Sequence, residues 1–460
     1  MRFRQAISFL RNWPLALGCA ALSMCGVVAV AGGLVRAPAV GGVHIDPQGV
    51  VSAPAVEGSE ALQAAWQAGL EAAPAELEPL TELRFVSLRG LEKAIAEANQ
   101  KGQPLADEHR YLAGLLRVKH VLVYPAQDGE PGDIVIAGPA EGWKVDSLGN
   151  TVGVTTGRPV LMLEDLIVAL RAAESSNGPG ISCSIDPTEE GLARAQQVQR
   201  RMTANDGPLT AAKRLEQALG RQKISISGVP NTSHYARTLV AADFRMKRIA
   251  MGFEPSPVDG LPSYLQMVNA RSVKKNLLPR WWLAADYEPL ARDAEGLAWE
   301  IRGQGVKCQA EEDFVNSSGE ITRSAGRQET DAARWAAMMT ERFEELADHD
   351  SAFGQVRNAF DLAVVAALLT KEDLWSVASL EAPQLNGQLE LEQYSTPKTV
   401  ATQATFLKKG RNWVITASGG VQVYPWLIAD RNEQAEGLGQ LREAQSRETQ
   451  SHDGGQWWWQ

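Results

Sequence analysis

The chain has 460 residues, of which 44% are hydrophobic and 22% charged, with 41 Gly and 23 Pro. This ordinary globular composition excludes a wholly disordered, a collagen-like or a multi-span membrane protein, and it suffices for more than one hydrophobic core. The formal net charge of -10, from 55 acidic and 45 basic residues, argues against a general nucleic-acid binder, because phosphate neutralisation requires a basic excess or a basic face.

The amino-terminal segment has the pattern of an export signal. Arg2, Arg4 and Arg11 precede an uncharged apolar stretch that ends at Val35. We expect residues 1–31 to be a signal peptide, or an N-terminal anchor if the segment is not cleaved. The protein is then periplasmic or extracellular, and its membrane contact, if it has one, is through this segment alone. Residues 32–80 form an Ala/Pro-rich N-terminal segment.

Residues 81–255 are predicted to form an α/β lobe, because strand and helix patterns alternate there. Strands are predicted at 84–86, 118–124, 133–137, 152–155, 181–185 and 223–227. Helix N-caps are predicted at Ser87, Asp186, Thr210 and Ser233. Gly102 and Gly220 are predicted to end two of these helices.

Residues 256–431 are predicted to form an α+β lobe with antiparallel strands and a helical hairpin. An antiparallel meander is predicted from the runs at 281–283, 297–301 and 306–308. Two amphipathic helices follow, with Asp348, His349 and Asp350 at their junction, and the last strands are predicted at 405–408, 413–416 and 421–424. The fold class is therefore mixed α/β and α+β, with an alternating strand–helix lobe before an antiparallel-sheet lobe.

Residues 432–460 are rich in Gln, Glu and Ser and are predicted to be a disordered tail. The tail ends in Trp457, Trp458, Trp459 and Gln460. The three tryptophans are interpreted either as a docking peptide for a partner or membrane interface, or as an unselected chain end or a short fold-back onto the protein's own domain.

The number of cysteines limits the disulfides that the predicted exported chain can form. Of the 4 Cys, two lie in the predicted signal, which leaves Cys183 and Cys308. An oxidising compartment permits one disulfide between them, and two buried free thiols are the alternative. Two cysteines cannot make a structural zinc site alone.

The motif search gives mainly exclusions. The sequence has no G-x-S-x-G elbow, H-E-x-x-H, Walker loop, G-x-G-x-x-G after a strand or EF-hand loop. With 6 His in total, a multi-histidine metal centre has few ligands to draw on, so we expect no metal and no cofactor. The Asp348-His349-Asp350 run is interpreted as helix capping rather than as a metal or acid–base site.

One predicted helix carries a cluster of cations. The helix after Ser233 contains Arg237, Arg245, Lys247 and Arg248. These residues are candidates for binding a phosphate or a polyanionic glycan, and a solvated helix face with an Asp243–Lys247 pair is the alternative.

Five runs resemble a known family. They are GDIVIAGPAEGW (132–143), VGVTTGRPVL (152–161), CSIDPTEEGLAR (183–194), AADFRMKRIAMG (241–252) and SGGVQVYPW (418–426). Together they are similar to an exported planctomycete family of uncharacterised proteins, domain of unknown function 1598. The resemblance implies an exported protein of a bacterium with an elaborate envelope, and it implies no activity, cofactor or catalytic residue.

From these features we expect a non-catalytic exported protein of the periplasm or cell envelope that acts by binding or assembly. Its partner would be an envelope protein or polymer and not a nucleic acid. One alternative is a carboxylate-dependent hydrolase of an envelope or extracellular polymer, because paired Asp and Glu side chains can lie far apart in sequence and leave no motif. The other is an anion or glycan binder that uses the helix with the four cations.

Overall fold

A computed structural model of the chain describes residues 43–53, 59–127, 132–175, 180–202, 206–268, 277–315, 321–324, 330–404, 417–451 and 456–460. The predicted signal peptide, residues 1–31, lies outside the described residues, as do the strands predicted at 405–408 and 413–416. The mixed α/β and α+β fold class is confirmed.

The strands are, in chain order, β1 (His44–Ile45), β2 (Val50–Ser52), β3 (Thr81–Ser87), β4 (His120–Tyr124), β5 (Asp133–Ala140), β6 (Trp143–Val145), β7 (Thr151–Gly153), β8 (Ile181–Asp186), β9 (Arg221–Ser227), β10 (Leu277–Asp286), β11 (Leu290–Arg292), β12 (Ala298–Glu300), β13 (Gly305–Val315), β14 (Ile321–Ser324), β15 (Thr399–Ala401), β16 (Ser418–Val423), β17 (Asn432–Gln434) and β18 (Trp458–Trp459). 

The helices are α1 (Ser59–Ala68), α2 (Leu88–Lys101), α3 (Asp107–Arg110), α4 (Leu163–Ser175), α5 (Glu189–Arg201), α6 (Pro208–Leu219), α7 (His234–Ala250), α8 (Tyr264–Met267), α9 (Asp331–Glu341), α10 (Phe343–His349), α11 (Ser351–Lys371), α12 (Leu374–Ala378), α13 (Pro425–Ala429) and α14 (Leu438–Ser451). A 3₁₀ turn at Leu112–Gly114 and a π-helical turn at Gln384–Gln388 complete the helical elements of the described residues.

Two large sheets organise the described residues. The nine-stranded sheet has the order β1-β2-β15-β9-β8-β16-β10-β13-β14, and the seven-stranded sheet has the order β17-β11-β12-β4-β5-β3-β18. Most neighbours are antiparallel, whereas three pairs are parallel: β10 with β16, β15 with β2, and β11 with β17. The short β6–β7 hairpin stands apart from both sheets.

The two sheets do not follow the two predicted lobes. In the nine-stranded sheet β8 lies between β9 and β16, and in the seven-stranded sheet β4 lies between β5 and β12. Each sheet therefore takes strands from both 81–255 and 256–431. The boundary near residue 255 divides the sequence, but it does not divide the sheets.

The predicted meander is wrong because its three strands belong to two sheets. β10 pairs with β13 over ten residues, whereas β12 pairs with β11 and with β4. Gly303, with a φ of +103°, lies at the crossing from β12 to β13, where a Cβ would come 2.7 Å from the Asp286 carbonyl oxygen. Only glycine fits this conformation and this approach at low cost.

Helix starts follow local capping chemistry in some places and tertiary structure in others. Ser87 and Ser233 cap α2 and α7 as predicted, each accepting a backbone N–H of the first turn. The prediction for Asp186 is wrong, because β8 continues through it and Thr188 caps α5 instead. Thr210 lies inside α6, which starts earlier because Pro208 occupies its first turn.

Helix α11 forms the centre of the core. Its residues from Ala352 to Leu369 are all buried, and the aromatic rings of Phe343 on α10 and Phe353 on α11 meet edge to face at 6.0 Å. Among the described helices, α11 alone has the length and apolar composition of a membrane span, and its apolar stretch is wholly buried in the protein. Burial on all sides explains the apolar composition of α11 without a membrane.

The described part of the tail that was predicted to be disordered consists mostly of helix and strand. Residues 432–460 contain β17, α14 and β18. The low apolar content of the segment suggested disorder, but β17 and β18 occupy the two edges of the seven-stranded sheet.

Candidate functional site

The four cations of α7 have partners within the protein, and they do not all meet at one place. Lys247 is buried, and its Nζ donates to Asp243 at 2.9 Å and to the carbonyl oxygens of Ile185 and Gly419. Arg245 pairs with Asp350 at 2.7 Å and with Glu254. These contacts give the anion-site prediction no support, and the Asp243–Lys247 pair of the alternative is present but buried rather than solvated.

The other two cations lie apart from each other. Arg248 pairs with Glu254 and donates to Gln403, whereas the Arg237 guanidinium stacks on the Tyr394 ring at 5.1 Å. Eleven residues of helix separate Arg237 from Arg248, about 16 Å along the axis. The four cations therefore do not meet at one site, although Arg245 and Arg248 share Glu254.

Cys183 and Cys308 are buried free thiols, so the possible disulfide is not formed. Cys183 lies on β8 and Cys308 on β13, with β16 and β10 between them in the sheet. Three strand spacings amount to about 14 Å. A disulfide joins Cα atoms that are about 4.4–6.8 Å apart, so this sheet excludes the bridge.

The terminal tryptophans fold back onto the protein. Trp458 and Trp459 pair with Val86 and Phe85 of β3, and the Trp459 ring stacks on Phe85 at 5.6 Å. Trp457 is 6% exposed and stacks on His109 at 4.5 Å. Of the two interpretations, the fold-back matches this arrangement, and the rings of Trp457 and Trp459 are not available for docking a partner.

The Asp348-His349-Asp350 junction has a structural role. Asp350 caps α11 by accepting the Ala352 N–H at 3.0 Å, and Asp348 pairs with Arg158 and Arg357. The imidazole of His349 is bound to the Glu345 carbonyl oxygen. Over the described ranges, no group of three or more His, Cys, Asp or Glu side chains could hold a metal ion.

A pocket in the described part of the chain, here called the central pocket, brings together polar and aromatic side chains. Its lining residues are Trp66, Gly69, Leu70, Asp107, Arg110, Tyr111, Val145, Gly149, Asn150, Thr151, Met162, His234, Gln355 and Tyr394. The pocket has an empty volume of about 650 Å³ when the solvent at its open mouth is included. None of these residues was predicted as a site residue from the sequence.

Short elements hold the polar rim of the central pocket. Asp107 and Glu71 exchange two hydrogen bonds, each carboxylate accepting the other residue's backbone N–H at 2.9 and 3.0 Å. Asp107 also pairs with Arg110 at 3.3 Å on the same turn of α3. The rim therefore presents a carboxylate held by a backbone N–H and a guanidinium paired with that carboxylate.

A buried histidine–carboxylate pair forms one wall. His234 is the first residue of α7 and is 2% exposed, and its Nδ1 lies 2.9 and 3.1 Å from the two carboxylate oxygens of Asp165. Burial lowers the pKa of His234, but the charges of Asp165 and Glu164 and the hydrogen bond to Asp165 outweigh it, and the pKa is raised. In the neutral imidazole this contact places the proton on Nδ1, next to Asp165, and leaves Nε2 unprotonated.

A tyrosine–carboxylate pair lies beside it. The Tyr394 hydroxyl donates to Glu164 Oε1 at 2.9 Å, and its ring meets the His234 imidazole edge-on at 6.0 Å. Burial raises the pKa of Glu164 to about 7, against the favourable charge of His234. Burial also raises the pKa of Tyr394, so its hydroxyl stays protonated as a donor.

Little in the sequence points to this site. His234 is 69 residues from Asp165, and Glu164 is 230 residues from Tyr394, so no local spacing connects them. The available signal was positional, because Glu164 and Asp165 lie in the first turn of α4 and His234 in that of α7. In the sequence, such residues are typical of helix ends. Their possible joint role becomes visible only when the fold brings the two helix starts together.

Residues 183–264 match the model of a family described as "Protein of unknown function (DUF1598)". This match supports membership of the chain in that family. The DUF1598 segment includes α7 with His234, whereas Asp165 and Tyr394 lie outside it. The family description assigns no activity to any of these residues. Comparisons with curated proteins and with solved structures give no significant match.

Proposed function

We propose that the protein acts by binding a small hydroxyl-rich molecule, of the size of a monosaccharide, in the central pocket. In this proposal the protein is exported, and the ligand is a free sugar or the end of a sugar-containing envelope polymer. The observation that carries the proposal is the combination of aromatic rings and fixed polar groups in one pocket.

The aromatic rings supply the apolar part of the recognition. Trp66, Tyr111 and Tyr394 line the central pocket, and the two tyrosines are each 7% exposed. A sugar ring has C–H faces that can pack on aromatic rings. Aromatic side chains bury a large apolar area and lose little conformational freedom when they do so. Such rings therefore favour a flat ligand of modest size.

The polar groups supply the specificity. Asp107 accepts hydrogen bonds, Arg110 donates them, and Gln355 can do both. Gln355 is 7% exposed, and its Oε1 has no hydrogen-bond partner among the described residues. Ligand hydroxyls both donate and accept, so a sugar can satisfy such mixed partners better than an anion or a hydrocarbon can.

Binding can be tested by calorimetry with a panel of neutral monosaccharides and their N-acetylated and O-acetylated forms. We expect at least one to bind the native protein and Trp66→Ala to raise its Kd at least tenfold, because the aromatic wall is lost. Trp375→Ala is the matched control, since Trp375 is also half-buried but does not line the pocket. Absence of binding to the whole panel, or equal Kd values for native and Trp66→Ala proteins, contradicts the proposal.

Two further expectations from the sequence, the anion site on α7 and docking through the terminal tryptophans, have less support. The cations of the proposed anion binder are paired within the protein or stacked on Tyr394. Partner docking through the terminal tryptophans would require Trp457 and Trp459 to leave buried positions.

A further inference from the structure

We propose that the central pocket hydrolyses an O-acyl ester of its ligand, with His234 Nε2 as the general base that activates water. The inference rests on the proposed function, because the substrate is an ester of the same hydroxyl-rich molecule. It goes beyond binding by assigning a reaction to the His234–Asp165 pair.

The geometry of the pair fits this role. Asp165 holds Nδ1 at 2.9 Å, which fixes the tautomer and the orientation of the imidazole. His234 lines the pocket, and Asp165 occupies its Nδ1, so Nε2 is the ring nitrogen left for the reaction. A general base needs a fixed lone pair within reach of the proton it removes, and the carboxylate behind it stabilises the imidazolium that forms.

The pocket lining favours water as the nucleophile. Within the described lining there is no Ser or Cys, and the Thr151 hydroxyl is hydrogen-bonded to Tyr111. Arg110 is the cation that lines the pocket, and it is placed to stabilise negative charge on the ester carbonyl oxygen.

The reaction balances without a further reactant. The water oxygen forms a bond to the carbonyl carbon while one water proton moves to His234 Nε2. The tetrahedral intermediate then breaks its C–O bond to the sugar oxygen, and the imidazolium returns the proton to that oxygen. The products are a carboxylic acid and a free sugar hydroxyl, and Asp165 acts throughout as a positioning residue.

The pH dependence follows from the groups that face His234. Asp165 and Glu164 on α4 raise its pKa, and burial and Arg237 on α7 lower it. Tyr394 contacts it through its ring edge. Because the base must be neutral, kcat/KM should rise with pH as His234 loses its proton, and removing the charge of Asp165 should move that rise to lower pH.

The test measures acetate release from 4-nitrophenyl acetate and from an O-acetylated monosaccharide by the full chain. We expect His234→Asn to lower kcat/KM at least 100-fold. Asp165→Asn should lower it at least tenfold and shift the pH profile to lower pH, which a merely structural role would not do. His120→Asn is the matched control, because His120 is also largely enclosed but does not line the pocket, and its activity should stay within twofold of native.

Calorimetry on the same variants separates this inference from the proposed function. Sugar binding by His234→Asn within about threefold of the native Kd, with hydrolysis lost, supports both proposals. A native protein that binds sugars but releases no acetate overturns the hydrolytic role and leaves the binding function standing. Full activity in His234→Asn overturns it as well. If His234→Asn does not fold by circular dichroism, His234→Gln provides the same comparison.

Discussion

The Glu164 side chain shows how a partly buried carboxyl beside the pocket affects stability. It accepts the Tyr394 hydroxyl at 2.9 Å and lies next to Asp165 in the chain. Burial raises its pKa to about 7, from 4.5 for an unperturbed Glu. The folded protein therefore retains this proton over a pH range in which the unfolded chain has released it.

This difference predicts a pH-dependent stability that Glu164→Gln should remove. Because the pKa is raised on folding, its stabilising contribution is complete below about pH 4.5 and is lost as the pH rises towards 7. We expect the free energy of unfolding, measured in urea at pH 5 and pH 8, to fall more for the native protein than for Glu164→Gln. The amide keeps an oxygen that can accept the Tyr394 hydroxyl, so folding should be preserved.

Glu97→Gln is the control, because Glu97 is solvent-exposed and paired only with lysines. This variant should keep the native fall between the two pH values. Equal falls for the native and Glu164→Gln proteins would show that the carboxyl does not retain its proton on folding.

Single residues also show where sequence reasoning fails. Ser233 was recognised as a cap because a cap depends on the next three residues. Its neighbour His234 was not recognised, because its meaning depends on Asp165, which comes from another helix. Asp186 looked like a cap, but its backbone pairs with Lys223 as part of β8. Sheet pairing thus overrode the local signal.

Among the elements, β18 is the one whose role the sequence least revealed. Two residues of strand add to β3, and the Ser87 N–H donates to the Trp457 carbonyl oxygen at 2.8 Å. Gly90 of α2 makes room for this strand, because a Cβ there would lie 2.5 Å from the Cβ of Trp457. Trp457 also packs on α3, the helix that carries Asp107 and Arg110.

Truncating the buried tryptophans should destabilise the protein. We expect Trp457→Ala and Trp459→Ala each to lower the free energy of unfolding by about 3–5 kcal/mol, the usual cost of emptying a large aromatic site. Trp458→Ala is the comparison within the same strand, since Trp458 is only partly buried, and it should cost clearly less. Urea unfolding followed by circular dichroism measures all three. Losses below 1 kcal/mol at Trp457 and Trp459 would indicate a tail that is not docked in solution.

At the scale of the whole molecule, the two halves of the sequence are interleaved. Both large sheets combine strands from 81–255 and 256–431. A buried ion pair also joins the halves, because Arg117 binds both carboxylate oxygens of Asp361 at 2.8 and 3.0 Å. The hydrophobic core is continuous across the same boundary. These contacts predict that the halves stabilise each other.

A fragment of residues 81–255 should therefore not fold on its own. It would leave β4 without β12 and β8 without β16, exposing sheet edges and core side chains. We expect circular dichroism without a cooperative unfolding transition and rapid digestion by trypsin, whereas the full chain resists digestion. Coexpression with 256–460 is the control, and it should restore protection. A cooperative transition in the isolated fragment would restore the two-lobe description.

The sequence by itself determined the mixed fold class, several strands, the caps at Ser87 and Ser233 and the helices around α11, because these depend on propensity and periodicity within a few residues. Only the tertiary structure decided the sheet order, the separation of Cys183 from Cys308 and the meeting of His234 with Asp165. The physical reason is the range of the interactions. Local hydrogen bonding depends on neighbouring residues. Strand pairing and the pocket depend on contacts between segments tens to hundreds of residues apart.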